Sequence, residues 1–164
     1  MKLSRLCTLL SLAVFVTATG ANAAIHRVSP DDDVQAIVDA ADPGDTILFE
    51  PGEYKTANAD FGLRISTDNL RLIGKVKKGL GEAGKVRLVK DGTQKTGVYA
   101  APAGCGPDVH VGDCPVDDLQ GFYIRGFTVE DFPRNGIQTR FVDDFKIIRN
   151  ESARNLHNGI YPTI

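Results

Sequence analysis

The strongest constraint in the sequence is a repeat. Phe122-Tyr-Ile-Arg-Gly-Phe-Thr-Val-Glu-Asp-Phe-Pro-Arg-Asn-Gly-Ile-Gln138 lies without a gap over Phe145-Lys-Ile-Ile-Arg-Asn-Glu-Ser-Ala-Arg-Asn-Leu-His-Asn-Gly-Ile-Tyr161, an offset of 23 residues. The positions that agree are Phe122/Phe145, Ile124/Ile147, Asn135/Asn158, Gly136/Gly159 and Ile137/Ile160, so apolar residues alternate and turn residues recur. Looser copies come earlier. Gly62-Leu-Arg-Ile65 leads to Leu70-Arg-Leu-Ile-Gly74 as Gly136-Ile-Gln-Thr139 leads to Phe145-Lys-Ile-Ile148, and another Gly-led strand starts at Gly97. A period of 20 to 25 residues with short alternating strands and no helix predicts a solenoid built of β-structure. The leucine-rich pattern of similar length is absent.

Each coil then offers three strands. Gly62, Gly97, Gly136 and Gly159 begin one stack, and Leu70, Phe122 and Phe145 a second. Ile47, Val86 and Phe127 begin a third, with Asn150 as a candidate fourth member. Ahead of the coils, Ser29-Pro30 and three acids start a helix with a hydroxyl cap and carboxylates at the positive end of the dipole. Val34, Ile37, Val38 and Ala41 give it one apolar face, and Pro43-Gly44 stops it. Such a helix is expected to cover the open end of the solenoid.

Residues 1–23 read as a signal peptide: Lys2 and Arg5, an apolar run from Leu6 to Thr19, then Ala21-Asn22-Ala23. The run is too short to span a bilayer. The mature chain, 24–164, holds 17 Lys and Arg against 21 Asp and Glu, a formal charge of −4. No broad basic field is available for nucleic acid. A secreted or periplasmic location is expected, with no transmembrane segment after cleavage. Of three cysteines, Cys105 and Cys114 remain, and an oxidising compartment favours their pairing across a Gly/Pro-rich loop. With only His110 between them, a zinc site is disfavoured and no metal site is assigned. A solenoid ending at Ile164, within the strand begun at Gly159, would leave an uncapped apolar last coil, so a longer β-solenoid is expected.

Val34-Gln-Ala-Ile-Val-Asp-Ala-Ala-Asp-Pro-Gly-Asp-Thr-Ile-Leu-Phe-Glu-Pro-Gly-Glu-Tyr54 resembles the N-terminal signature of right-handed parallel β-helix proteins of the pectate-lyase-like superfamily, and the Asn-Gly-Ile repeats resemble that superfamily's coils. The resemblance implies an all-β right-handed parallel β-helix with a short capping helix. It also implies one of several activities: polysaccharide lyase, uronan epimerase or glycoside hydrolase. Other members are non-catalytic solenoids or a periplasmic factor for copper-enzyme maturation. The Asp-Pro-His motif of mannuronan epimerases does not occur here. No cofactor is assigned.

The register nominates a site. One step past the inward Leu63, Val98, Ile137 and Ile160 lie Arg64, Tyr99, Gln138 and Tyr161, an outward stripe about 15 Å long at strand spacing. These four are the candidate substrate-binding residues for an anionic polysaccharide, since Tyr stacks on sugars and Arg forks onto a carboxylate. Two positions before each strand glycine lie Asp60, Lys95, Arg134 and His157. Arg134 and His157 are the candidate catalytic pair, because they can neutralise a uronate and take the proton beside its carboxylate. The alternative is a row of solvated turn residues. Asp131, Asp143 and Asp144 read as turn-formers in preference to an acid pair or calcium ligands. Lys75, Lys77, Lys78 and Lys85 either attract an acidic polymer or keep a glycine-rich loop soluble.

Overall fold

The structure is a computed structural model that describes residues 22–56, 58–114 and 117–163. The expected leader therefore lies almost wholly outside the described residues. Strand β1 (Ile25–Val28) is followed by helix α1 (Val34–Asp39), then by β2 (Thr46–Phe49), β3 (Gly52–Tyr54) and β4 (Phe61–Ile65). Next come β5 (Arg71–Gly74), β6 (Val86–Val89), β7 (Thr96–Ala100), β8 (Leu119–Gln120), β9 (Tyr123–Arg125) and β10 (Phe127–Glu130). The chain continues through β11 (Ile137–Arg140), β12 (Val142–Asp143), β13 (Lys146–Ile148), β14 (Glu151–Ala153) and β15 (Ile160–Thr163).

Successive strands visit different sheets in turn. The first sheet orders as β1-β2-β5-β9-β13, the second as β3-β6-β10-β14 and the third as β4-β7-β11-β15, with β8 and β12 forming a small fourth. Every pairing is parallel. The described chain is thus mostly β, with no closed barrel, an arrangement consistent with an all-β solenoid. The 23-residue offset reappears as physical register: Ile124 pairs with Ile147, Thr128 with Glu151 and Ile137 with Ile160. Longer offsets earlier, such as Leu72 to Ile124, arise from the segments 75–85 and 101–118 that leave the sheets.

Alternation puts one side of β1 to β13 into a common core, with Val142 of β12 and Ile147 of β13 only partly buried. Ile47, Leu72 and Ile124 lie side by side in the first sheet, and Leu63, Val98 and Ile137 in the third, all without exposed surface. Each such side chain contributes roughly 1.5–3 kcal/mol by leaving water. Phe49 meets Tyr54 and Phe127 edge-on, with ring centroids 5.2 and 4.8 Å apart. The glycines that begin the third sheet are set by space: a Cβ on Gly97 would meet the Val129 side chain and lie 2.6 Å from the Gly136 carbonyl oxygen.

Three expectations need correction. Ile47 does not share a stack with Val86; it pairs with Leu72 in the first sheet, and the three-residue β3 takes the place beside Val86. The chain bends at Glu50-Pro51 immediately after β2, and the Pro-Gly-x-Tyr segment forms β3. The helix begins later than expected, at Val34. Asp33 caps it by accepting from the Ala36 N–H at 3.2 Å, while Ser29 closes a turn with the Asp32 carboxylate. Finally, the last copy of the repeat has a mixed interior. Ile160 and Phe145 are 47% and 37% exposed, but Asn150, Ser152 and Asn155 stand where the preceding copy has Phe127, Val129 and Phe132. Asn150 accepts from the Phe127 N–H and donates to the Ile124 carbonyl, both at 3.0 Å. Asn155 does the same between Phe132 and Val129, again at 3.0 Å.

The helix lies against β4. Gln35 accepts from the Arg64 N–H and donates to the Arg64 carbonyl, both at 2.9 Å, so a side chain from α1 satisfies the free edge of the third sheet.

Candidate functional site

Cys105 and Cys114 form a disulfide, with Cα atoms 5.3 Å apart, in the segment that follows β7. A disulfide fits folding in an oxidising compartment. This stapled loop folds back over the third sheet and decides what the outward stripe can do.

Arg64, Tyr99, Gln138 and Tyr161 share one row, as expected. They do not share one environment. Tyr99 has no exposed surface: its ring stacks on Phe61, with centroids 4.7 Å apart and planes 9° from parallel, and its hydroxyl donates to the Cys105 carbonyl at 3.2 Å. The Arg64 guanidinium lies 4.9 Å from the Tyr99 ring centre and donates to the carbonyls of Ala101, Pro102 and Cys105 at 3.0, 2.8 and 3.4 Å. Burial lowers the pKa of Arg64 from its ordinary value and raises that of Tyr99. Gln138 is buried and accepts from the Asn135 amide at 2.9 Å. Tyr161, 41% exposed, is the most open of the four, and Arg64 is half-buried. As the chain is folded, the loop occupies the space above Arg64 and Tyr99.

Two participants escaped the sequence reading. Arg140, on the same strand and face as Gln138, donates to the Gly106 carbonyl at 2.6 Å and to the Val109 carbonyl, with its guanidinium 5.2 Å from the Phe141 ring centre. Phe61 supplies the second ring of the stack. The i+2 step from Gln138 would have found Arg140; Phe61 carries no local signal beyond preceding a strand glycine.

The second row, at the edge of the same sheet, is built by backbone. The Lys95 N–H donates to the Asp60 carbonyl at 2.9 Å, Arg134 to Lys95 at 2.9 Å and His157 to Arg134 at 3.0 Å. The four side chains therefore follow one another at about the 4.8 Å strand spacing. Asp60, Lys95 and His157 are exposed, and Arg134 is partly so. Arg134 approaches Asp108 of the stapled loop at 3.4 Å. Between loop and ladder lies a cleft of about 190 Å³ lined by Asp60, Lys95, Gly106, Pro107, Asp108 and Arg134. His157 is the next rung and does not line it.

The remaining candidates are placed differently. Asp131 and Asp144 take left-handed turn conformations, with φ of 68° and 51°, and the Asp131 carboxylate pairs with Arg154 at 2.7 Å. Asp143 accepts from the Gln120 amide at 3.3 Å. Of the lysine cluster, Lys75 pairs with Glu50 and Lys85 with Glu151, whereas Lys77 and Lys78 are exposed. Among the described residues, no three His, Cys, Asp or Glu side chains are grouped to hold a metal ion, and no helix is long and apolar enough to cross a membrane.

Comparison with protein-family models, with curated proteins and with solved structures finds no match to this chain.

Proposed function

We propose that this chain is an exported right-handed parallel β-helix of the pectate-lyase-like kind that binds or processes a uronic-acid-containing polysaccharide. The observation that carries the reading is the Asp60-Lys95-Arg134-His157 ladder beside the stapled loop. Three basic side chains at coil spacing match a chain of carboxylated sugars more closely than a single small ligand. In the eliminating version, Arg134 neutralises a uronate carboxylate and Lys95 or His157 accepts the proton α to it. The electron pair then forms the ring double bond as the glycosidic oxygen leaves and takes up a proton.

Incubation with polygalacturonate and alginate tests this, by following the ultraviolet absorbance of unsaturated ends together with new reducing ends. Arg134→Ala and His157→Ala should each lower turnover about 100-fold or more. Absence of both product and binding in the unaltered protein would refute the proposal. The second reading is a non-catalytic scaffold or binding solenoid, including the copper-enzyme maturation type. It is favoured by the commitment of Arg64, Tyr99 and Gln138 to internal hydrogen bonds. Binding without product would select it.

A further inference from the structure

The outer face of the first sheet takes no part in the cleft just described. Register sets its side chains in two rows: Ile25, Thr46, Arg71, Tyr123 and Lys146 in one, and Arg27, Leu48, Ile73, Arg125 and Ile148 in the other. Four of these ten residues are cations and none is an anion, on a chain with more acids than bases. Among the described residues, Arg71, Arg125 and Lys146 have no carboxylate within 4.0 Å, and Arg27 reaches only Glu50 at 3.9 Å.

The second sheet treats its cations in the opposite way. Arg87 pairs with Glu53 at 2.9 Å and with Glu130, Arg154 with Glu130 at 2.7 Å, and Lys85 with Glu151 at 2.9 Å. The first sheet thus leaves unneutralised the kind of charge that its neighbour neutralises internally. Arg71 is also held in place: its guanidinium lies 4.7 Å from the Tyr123 ring centre. A groove of about 530 Å³ runs along this row, lined by Asn69, Arg71, Gly121, Tyr123, Asp144 and Lys146 among others.

We propose that the outer face of the first sheet is a separate binding surface for a linear carboxylated polysaccharide lying across the strands. Five strands span about 19 Å, near the reach of four sugar rings. Arg71 and Lys146 meet carboxylates, and Asn69 and Asp144 meet sugar hydroxyls, which donate to the Asp144 carboxylate. The same groove suits nucleic acid poorly. Arg71 covers a face of the Tyr123 ring that a base would need for stacking, and the Asp144 carboxylate opposes a phosphodiester. This surface goes beyond the third-sheet cleft and does not depend on it.

The test is binding of polygalacturonate to the full chain carrying Lys95→Ala and Arg134→Ala, which removes the third-sheet ladder. That protein should still bind, more weakly as salt is raised. Adding Arg71→Glu and Lys146→Glu should weaken binding about tenfold or more. Arg125→Glu alone, one row away, should weaken it severalfold and serves if the double reversal fails to fold by circular dichroism. No binding in the ladder-free protein, or equal binding after charge reversal, would overturn the proposal. So would reversals that abolish retention of duplex DNA or of phosphatidylglycerol vesicles but leave polygalacturonate untouched.

Discussion

Arg64 offers the sharpest test of how the stapled loop is held. Its guanidinium is half-buried with no carboxylate within ion-pairing distance among the described residues, and it spends its N–H groups on the carbonyls of Ala101, Pro102 and Cys105. In Arg64→Ala the carbonyls of Ala101 and Pro102 lose this donor and that of Cys105 keeps only the Tyr99 hydroxyl, at about 1 kcal/mol for each lost bond. Loss of the cation over the Tyr99 ring adds roughly 0.5–2 kcal/mol. Against this, the mutation returns the cost of burying a guanidinium, the same desolvation that lowers its pKa. The balance is a loss of about 2–3 kcal/mol. Arg64→Lys should recover only part, because an ammonium on a flexible stem cannot span three carbonyls as a planar fork does. Urea unfolding followed by circular dichroism gives the stability change, and limited proteolysis under oxidising conditions reports whether the loop lifts. A change below about 0.5 kcal/mol, with proteolysis of 102–114 unaltered, would show that the disulfide alone seats the loop.

Asn155→Ala removes a donor and an acceptor that serve the backbone of Phe132 and Val129, so it should cost about 1–2 kcal/mol and speed amide exchange at Phe132 at least about tenfold. The Asp45 carboxyl is held below its ordinary value first by the His26 side chain, at 2.7 Å, and then by the Ala24 N–H. The unfolded chain takes up that proton more readily, so the stabilisation is complete above about pH 4 and is lost as pH falls below it. Asp45→Asn should therefore flatten the acid limb of the melting-temperature profile, and an unchanged limb would exclude Asp45 as its source.

The repeat was legible because two copies of equal length bring equivalent residues into register, and Ile124/Ile147 and Ile137/Ile160 pair as the alignment requires. Ile47 was misplaced because β3 is only three residues long and follows β2 across a two-residue bend, too short to show alternation of its own. The stripe was legible as a row and illegible as a surface. The carbonyls that cover Arg64 lie 37 to 41 residues away, in a Gly/Pro-rich segment without periodicity, so only the folded chain brings them together. The same holds for Asp108 beside Arg134, 26 residues distant. The first-sheet row had a local signal, Tyr123 and Lys146 at the repeat offset.

Stacking makes like charge costly, since neighbouring strands bring equivalent side chains to about 4.8 Å. The second sheet answers by pairing opposite charges: Arg87 stands beside Glu53 in register and reaches diagonally to Glu130, with Thr128 as its neighbour on the other side. The third sheet buries Arg64 and Arg140 against loop carbonyls. The first sheet answers by spacing: Tyr123 separates Arg71 from Lys146, and Leu48 and Ile73 separate Arg27 from Arg125. No two cations in either row are nearest neighbours, and the closest pair along a row stands two strand spacings apart, about 10 Å. That is near the screening length at physiological ionic strength, so the unliganded face tolerates its charge. A polymer carrying a carboxylate on every ring would reach both cations of a row at once. Its affinity should therefore fall steeply when a neutral residue replaces either one, while the melting temperature stays nearly constant. Parallel loss of stability and affinity would instead mean that these cations hold the sheet together.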